Sequence, residues 1–334
     1  MDEARPSRGA ATQGSADGSG AACGAGTGLS VAPSATSSPA AVATAPRASA
    51  PTRATTVPSA TAASPTPPFT GSAPPAETES VTEPIDHDNF SHPTVVDNTW
   101  FPLRPGTKLV HNGAGNVDGK RTPRRVVMVV TDLTKVIDGI RTVVVFELDY
   151  NDNKLAEAEL VFFAQDDDGN VWHLGQYPEE YEDGDIVETP AWIAGQRDAK
   201  AGILIKAEPH FGPSYSQGWG PEVGWADRAR VFEVDSRTCV PAACYDGVLV
   251  TDEFSRDEPD AHQLKYYAPG LGVVRVGWAG ALEKEQEVLG LVEIAHLKPD
   301  NLAKYRADVL AMEKRAYANS KEVYGRTPRM EQSP

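Results

Sequence analysis

Three charged side chains in the C-terminal half of the chain could do acid–base chemistry. Asp252 and Glu253 end one apolar run, and Lys265 opens the next run after a polar loop. Because successive side chains of a strand point to opposite faces, one of the two acids should share a face with Lys265. On an exposed face this would be a surface ion pair contributing roughly 0–1 kcal/mol, and we expect that arrangement. Inside a concave sheet the same pair would be suited to ligand binding or acid–base catalysis.

Aromatic side chains suggest a second site, around an irregular stretch at residues 190–224 that is rich in Gly and Pro. Long irregular segments are often functional, and small ligands usually bind in concave pockets. The alternative is that these rings pack the core, where aromatic side chains contribute strongly. On a strand, the neighbours Trp172 and His173 would point to opposite faces. The predicted ligand-binding residues are Trp172, His173, Trp192, Trp219 and Trp225, with Tyr177 and Phe211 nearby.

No metal or cofactor is predicted. None of the seven histidines has a partner at metal-ligand spacing, and we expect His87, His92 and His210 to be solvated or structural. Residues 166–170 read D-D-D-G-N, but no Glu follows where a calcium loop needs one, so we expect a hairpin turn. The motifs of the nucleophile elbow, the zinc-protease helix and the nucleotide-binding loops are missing from the sequence. These absences disfavour the commonest hydrolases and nucleotide-binding proteins, but not an enzyme built from scattered carboxylates.

Two cysteines, Cys239 and Cys244, flank the four-residue turn of a candidate hairpin. Such a position can bring the two Cα atoms to roughly the 5.5–6 Å that a disulfide favours. A zinc site would need further Cys or His ligands at suitable spacing, and the sequence has none nearby. Two buried free thiols are the other alternative. We predict the disulfide, which would indicate an oxidising compartment.

A mainly β fold must position these residues. Apolar runs rich in Val, Ile, Phe and Tyr recur between turn residues from residue 126 to residue 294, and residues 132–139 are expected to form one of the turns. About ten successive strands would twist too far as one flat sheet. We therefore predict a strongly curved antiparallel meander, half-barrel or barrel-like. One helix should begin at Pro299, end at Gly325 and pack on the core through an apolar stripe.

The chain divides into three segments. Residues 1–85 form an arm rich in Ala, Ser, Thr and Pro, with too little apolar surface to offset the backbone entropy of folding, so we predict a disordered tether. Residues 86–297 form the β-rich domain, and residues 298–334 form the C-terminal helix and tail. The arm holds 6 of the 47 acidic and 4 of the 31 basic residues, which leaves a net charge of −14 for the rest. That charge disfavours nucleic acid as a partner, and no apolar run is long enough for a transmembrane span.

The third cysteine, Cys23, lies in G-A-A-C-G-A-G, directly before the predicted tether. Bacterial lipoproteins have a similar small-residue box around the cysteine that is lipidated. The apolar stretch that should precede such a box is missing from residues 1–22, and Gly20 stands where Leu is usual. Lipidation of Cys23 and an unmodified cysteine in a disordered arm are both open at this point.

Five segments between residues 100 and 274 carry a family resemblance. They are W-F-P-L-R-P-G-T (residues 100–107), T-D-L-T-K (131–135), F-F-A-Q-D-D-D-G-N-V-W (162–172), V-P-A-A-C-Y-D-G-V-L-V-T-D-E (240–253) and K-Y-Y-A-P-G-L-G-V-V (265–274). Together they resemble a family of exported bacterial proteins and lipoproteins without an established activity. The resemblance spans roughly residues 90–296 and implies export and a β-rich fold. The terminal helix and the cysteine pair depart from the family pattern, and the resemblance brings no catalytic residues.

Three hypotheses follow for the function. The first is an exported, surface-tethered binding or carrier domain whose curved sheet holds a small apolar or amphipathic ligand. The second is a secreted hydrolase or lyase that uses a carboxylate, Asp252 or Glu253, with Lys265 or a histidine. The third is a non-catalytic domain of the cell envelope that presents its surface to another protein, which the sequence does not identify. All three predict a location outside the cell or at its surface.

Overall fold

The computed structural model describes residues 82–117, 119–256, 258 and 260–333, so Cys23 and nearly all of the predicted arm lie outside the described residues. The described part contains sixteen strands, one α-helix, α1 (Pro299–Asn319), and two short 3-10 segments, His87–Asn89 and Tyr324–Arg326. None of its helices is long and apolar enough to cross a membrane. The strands are β1 (Thr107–Val117), β2 (Lys120–Ile137), β3 (Ile140–Asn151), β4 (Lys154–Gln165), β5 (Val171–Glu182), β6 (Asp185–Glu188), β7 (Trp192–Ile193), β8 (Lys200–Ile205), β9 (Tyr215–Ser216), β10 (Gly218–Trp219), β11 (Asp227–Cys239), β12 (Cys244–Ser255), β13 (His262–Ala268), β14 (Gly272–Ala279), β15 (Val288–His296) and β16 (Glu331–Gln332).

Short Asp-Gly turns connect several of the strands. Asp138 and Gly139 join β2 to β3 with φ values of 48° and 83°, both in the left-handed region that two-residue hairpin turns require. The prediction of a turn over residues 132–139 is therefore wrong for most of its length, because β2 continues to Ile137. A register shift between Val130 and Thr134 interrupts the pairing of β2 with β3, which then resumes. The break in the apolar pattern reflects this bulge and not the end of the strand.

The sheet is antiparallel, strongly curved and nearly closed, as the sequence predicts. Its order is β10-β8-β5-β4-β3-β2-β1-β15-β14-β13-β12-β11-β9, with β6 and β7 beside β5 and β16 beside β2. Its two ends, β9 and β10, belong to one short stretch of chain, residues 215–219. Within it the backbone N–H of Gln217 donates to Asp227 at 2.8 Å, and its side-chain amide donates to Leu204 at 3.1 Å. One segment thus borders both edges and brings them together into a barrel-like sheet.

The concave side of the sheet is filled with apolar side chains at one end. Residues of β3 and β4, such as Val145 and Phe163, share a cluster with Leu249 of β12 and Tyr267 of β13. These strands lie far apart in the sheet order, so the side chains meet across the interior. Phe101 of the segment before β1 joins this cluster together with Val96 and Leu103. The segment therefore closes this end of the interior.

Helix α1 packs on the convex side of the sheet. Its buried residues Val309, Met312 and Ala316 share a cluster with Val144 and Leu160 of β3 and β4. This confirms the predicted core-packing stripe. The helix ends at Asn319, however, and not at Gly325 as predicted.

The chain after the helix folds back onto the same surface and so forms part of the core. Tyr324 is fully buried in the 3-10 segment, and the amide of Gly325 donates to Ser320. The buried Lys135 of β2 lies 3.3 Å from Glu313 of the helix and donates to the carbonyl of Pro328. Burial lowers the pKa of Lys135 to about 8, although Glu313 opposes the shift.

Candidate ligand cavity

A cavity of about 490 Å³ lies among the ends of three hairpins, β1–β2, β3–β4 and β5–β6. Cavities that bind small ligands usually have about this size, roughly 300–1,000 Å³. The walls combine apolar side chains with a set of carboxylates. The lining residues are Val117, Arg124, Asp149, Asn151, Lys154, Leu155, Ala156, Glu157, Glu180, Tyr181, Glu182, Asp183, Gly184 and Val187.

The pairing of three neighbouring strands places the main carboxylates in one row. Asp149 of β3 is paired with Glu157 of β4, and Glu157 is paired in turn with Glu180 of β5. Directly paired residues project from the same face of a sheet, and like charges in such pairs repel each other. The three carboxyl groups therefore form a row across the cavity wall that is unfavourable when all three are charged.

Arg124 is the buried cation of this region. Its guanidinium lies 3.2 Å from Asp149 and 3.1 Å from both Glu285 and Glu287, and its side chain is 8% exposed. Burial alone would lower the pKa of Arg124, but the three carboxylates raise it above its ordinary value. One guanidinium thus faces three acids, so its charge is already balanced.

The cavity carboxyl groups have raised pKa values because their charged forms are poorly solvated. Burial and the nearby carboxylates of Asp149, Glu180 and Glu147 raise the pKa of Glu157 to about 8. Burial raises the pKa of Asp149 to about 6, although Arg124 opposes part of the shift. Burial, Glu188 and Glu182 also raise the pKa of Glu180. Near neutral pH the row therefore holds protons that exposed carboxylates would have released.

The predicted pair of Glu253 and Lys265 forms, on the concave face. The ammonium of Lys265 lies 2.9 Å from Glu253, whose side chain is only 1% exposed. The Tyr267 hydroxyl donates to the same carboxylate at 3.2 Å. The expectation of an exposed pair is wrong, because the curvature of the sheet turns this face inward. Lys265 also lowers the pKa of Glu147 against the larger effect of burial, so the two groups lie close together.

Asp252 lies on the opposite face of β12 from Glu253. It accepts hydrogen bonds from Arg230 at 2.7 Å and pairs with the His262 ring at 2.7 Å. The structure thus brings Glu253 and Lys265 together and separates them from Asp252 and its histidine. The three predicted acid–base residues do not form one cleft.

The predicted aromatic site is tightly packed. Trp172 and His173 point to opposite sides of β5, as expected: Trp172 joins the cluster under α1 and donates to Asp166 at 2.7 Å. The His173 ring lies 4.8 Å from the Trp192 ring and 5.8 Å from the Trp225 ring. Trp219, on β10, is half-buried. The space beside Trp192 amounts to about 10 Å³, which is room for one water molecule at most. The cavity with room for a ligand lies elsewhere, at residues 149, 157 and 180.

A pattern of alternating acids on three successive strands marks this cavity in the sequence, although neither the composition nor any known motif points to it. Acids alternate with other residues in E-L-D-Y-N (147–151), L-A-E-A-E-L (155–160) and P-E-E-Y-E (178–182), on three strands that follow one another. Each pattern taken alone is typical of a solvated strand end. Only the pairing of the three strands shows that the acids share one face.

The remaining predictions fall outside the cavity. Cys239 and Cys244 form the predicted disulfide at the tip of the β11–β12 hairpin. Residues 166–170 form the predicted turn, in which the Asp166 carboxylate accepts from the amide of Asn170 at 2.7 Å. In the described part of the chain, no three or more His, Cys, Asp or Glu residues are arranged to hold a metal ion.

Comparisons with known proteins give two structural likenesses. No protein-family model matches the chain, and no curated protein matches it. A candidate exported protein with a YmcC-like fold from Bacteroides fragilis has a TM-score of 0.35 and 15% identity, over 59% of this chain and 99% of its own. A candidate lipoprotein from Parabacteroides distasonis has a TM-score of 0.30 and 14% identity, over 60% of this chain and 100% of its own. Because these values are low, the function has to be argued from the chain's own residues.

Proposed function

We propose that this chain is an exported binding domain whose cavity holds a small amphipathic ligand. The observation that carries the proposal is the cavity of about 490 Å³, where apolar side chains and carboxylates line one space. A ligand with an apolar part and a polar group would satisfy both kinds of wall.

The apolar part of the ligand would lie against Leu155, Val187 and the ring of Tyr181. These side chains line the cavity, and Val187 is 48% exposed in the structure. Removing apolar surface from water contributes about 25 cal/mol per Å², so covering this wall would favour binding. The polar part would then lie near the row formed by Asp149, Glu157 and Glu180.

Export is supported by the cysteine chemistry and by the sequence resemblance. Both cysteines of the disulfide, Cys239 and Cys244, are exposed, and an exposed disulfide persists more readily in an oxidising compartment than in the cytosol. The motifs at residues 100–107 and 162–172 resemble those of exported proteins. Attachment to a membrane through Cys23 belongs to the same proposal and concerns a residue outside the described part.

Native mass spectrometry of the full chain tests the binding function. The protein is produced with export, and its mass is compared before and after denaturation. We expect an additional small-molecule mass that denaturation releases. Val117→Trp, which places an indole at the cavity wall, should remove that mass, whereas Val234→Trp, at an exposed position on β11, should retain it. A bare protein mass from the wild type, also after incubation with amphipathic compounds, would contradict the proposal.

A further inference from the structure

The charges that line the cavity are unbalanced. Five acidic residues line it, namely Asp149, Glu157, Glu180, Glu182 and Asp183, together with two basic residues, Arg124 and Lys154. Arg124 already faces Asp149, Glu285 and Glu287, and Lys154 lies 3.4 Å from Asp183. Arg124 is thus already paired and Lys154 lies in solvent at the rim, and Glu157, Glu180 and Glu182 form no ion pair with any residue in the described part of the chain.

Glu157 lies at the centre of the row. It is half-buried between Asp149 and Glu180, and none of the described residues forms an ion pair or a hydrogen bond with its carboxyl group. Carboxylates in directly paired positions repel each other, and a cation placed among them would turn that repulsion into attraction. Because the neighbours of Glu157 are themselves acids, the ligand group that suits this place donates hydrogen bonds and carries positive charge.

A metal ion does not fit this place as well as an organic cation does. No group of three or more ligating side chains in the described residues is arranged for a metal. The same cavity also has the apolar wall of Leu155, Val187 and Tyr181, which offers nothing to a bare ion. An ammonium group on an apolar body uses both features, because it brings donors to the carboxyl groups and carbon to the apolar wall.

We infer that the ligands of this cavity are amphipathic amines, whose ammonium group lies among Asp149, Glu157 and Glu180 and whose apolar part covers Leu155 and Val187. This inference rests on the proposed function and names the chemical class of its ligand. It also explains why a chain would keep three acids in directly paired positions, where they repel each other without a cation between them.

Binding of such a cation should depend on pH. The groups that face Glu157 are Asp149 and Glu147 from β3, Glu180 from β5 and Arg124 from β2. Burial and these acids raise its pKa, so a proton occupies Glu157 in the empty cavity at neutral pH. An ammonium group favours the charged carboxylate and displaces that proton. The affinity for an amine should therefore increase as the pH rises from about 6 to about 8.

Calorimetric titration of the full chain with three eight-carbon probes tests the inference. The probes are octylamine, octanol and octanoate, which share the apolar chain and differ in charge. Alkyl amines titrate near pH 10.4, so octylamine stays charged up to about pH 9. We expect octylamine to bind at least about tenfold more tightly than octanol at pH 8, and octanoate to bind most weakly. Glu157→Gln and Glu180→Gln should each remove most of the preference for octylamine over octanol, measured as the ratio of the two affinities.

A matched control separates the cavity from the general negative charge of the chain. Glu208→Gln removes one exposed carboxylate that does not line the cavity, and it should leave all three affinities unchanged. Equal affinities for octylamine and octanol, or an amine affinity that Glu157→Gln does not alter, would overturn the inference while leaving a binding function in place. Binding of none of the three probes would contradict the proposed function itself.

Discussion

Glu157 lies in an unfavourable electrostatic environment. Its neighbours on both adjacent strands are acids, and Arg124 is engaged by other carboxylates. The fold lowers the resulting repulsion by keeping protons on the row at neutral pH. A cation from solution would replace those protons and relieve the same repulsion.

The raised pKa of Glu157 predicts how stability changes with pH. A carboxyl group whose pKa is higher in the folded state stabilises the fold below its unfolded-state pKa, and this contribution is lost as the pH rises through its folded-state value. The free energy of unfolding should thus fall between about pH 4.5 and pH 8. The free energy of unfolding of Glu157→Gln, which stays neutral, should exceed that of the wild type by roughly 2–4 kcal/mol more at pH 8.5 than at pH 5.

Urea denaturation at pH 5 and pH 8.5 measures this difference. The stability of the Glu157→Gln variant should still depend on pH to some extent, because burial also raises the pKa of Asp149 and Glu285. Glu208→Gln, at an exposed position, should follow the wild type at both pH values. A Glu157→Gln protein that is less stable than the wild type at pH 8.5 would refute the raised pKa.

At the level of elements, helix α1 covers the convex side of the strands that carry the cavity acids. Leu148, Leu155 and Tyr181 alternate along β3, β4 and β5 with the acids and lie against the core cluster under the helix. Glu179, next to Glu180, forms a bidentate ion pair with Arg315 of α1. The helix thus supports the strands that form the cavity wall, and Leu155 and Tyr181 contribute both to the packing under the helix and to that wall.

A matched pair of substitutions tests the contribution of the helix. Met312 is 1% exposed, and truncation to alanine should lower the free energy of unfolding by about 3 kcal/mol, since the cavity left in the core cannot collapse fully. Leu310, two residues away on the same helix, is 40% exposed, and Leu310→Ala should cost far less. Equal losses for both variants in denaturant unfolding would show that α1 is not docked through this face.

The sequence predicts most elements but not their pairing. The apolar runs and Asp-Gly turns indicate ten of the sixteen strands in the described part, and the spacing of Cys239 and Cys244 indicates the disulfide. Strand β1 has no such pattern, because H-N-G-A-G-N at residues 111–116 is polar and Gly-rich. The cavity depends on which strands are neighbours and in which register, and both are set by long-range pairing. The inward orientation of Glu253 and Lys265 could not be predicted for the same reason.

At the scale of the whole folded domain, closure of the sheet depends on a close backbone contact. Residues 215–219 lie against β8 at Gly202, where a Cβ atom would collide with the backbone of Gln217 and Gly218. Only glycine allows the two segments to approach this closely. The contact determines whether the concave side is an enclosed interior or an open, curved surface.

Gly202→Ala should therefore destabilise the domain. We expect a loss of roughly 1–3 kcal/mol in denaturant unfolding, because backbone must shift to admit the methyl group. Gly212→Ala is the control, since no atom lies within 4 Å of the Cβ that it would add, and it should leave stability nearly unchanged. If the two substitutions have equal effects, residues 215–219 do not hold the edges of the sheet together.

A cation bound in the cavity should replace protons on the row formed by Asp149, Glu157 and Glu180. Calorimetry of octylamine binding to the full chain at pH 7 tests this exchange, because titrations in two buffers of different ionisation enthalpy give the number of protons released. We predict a net release of about half a proton to one proton per amine bound, and a smaller release from Glu157→Gln. Tight binding of the amine without any proton release would show that the ammonium group does not displace protons from this row.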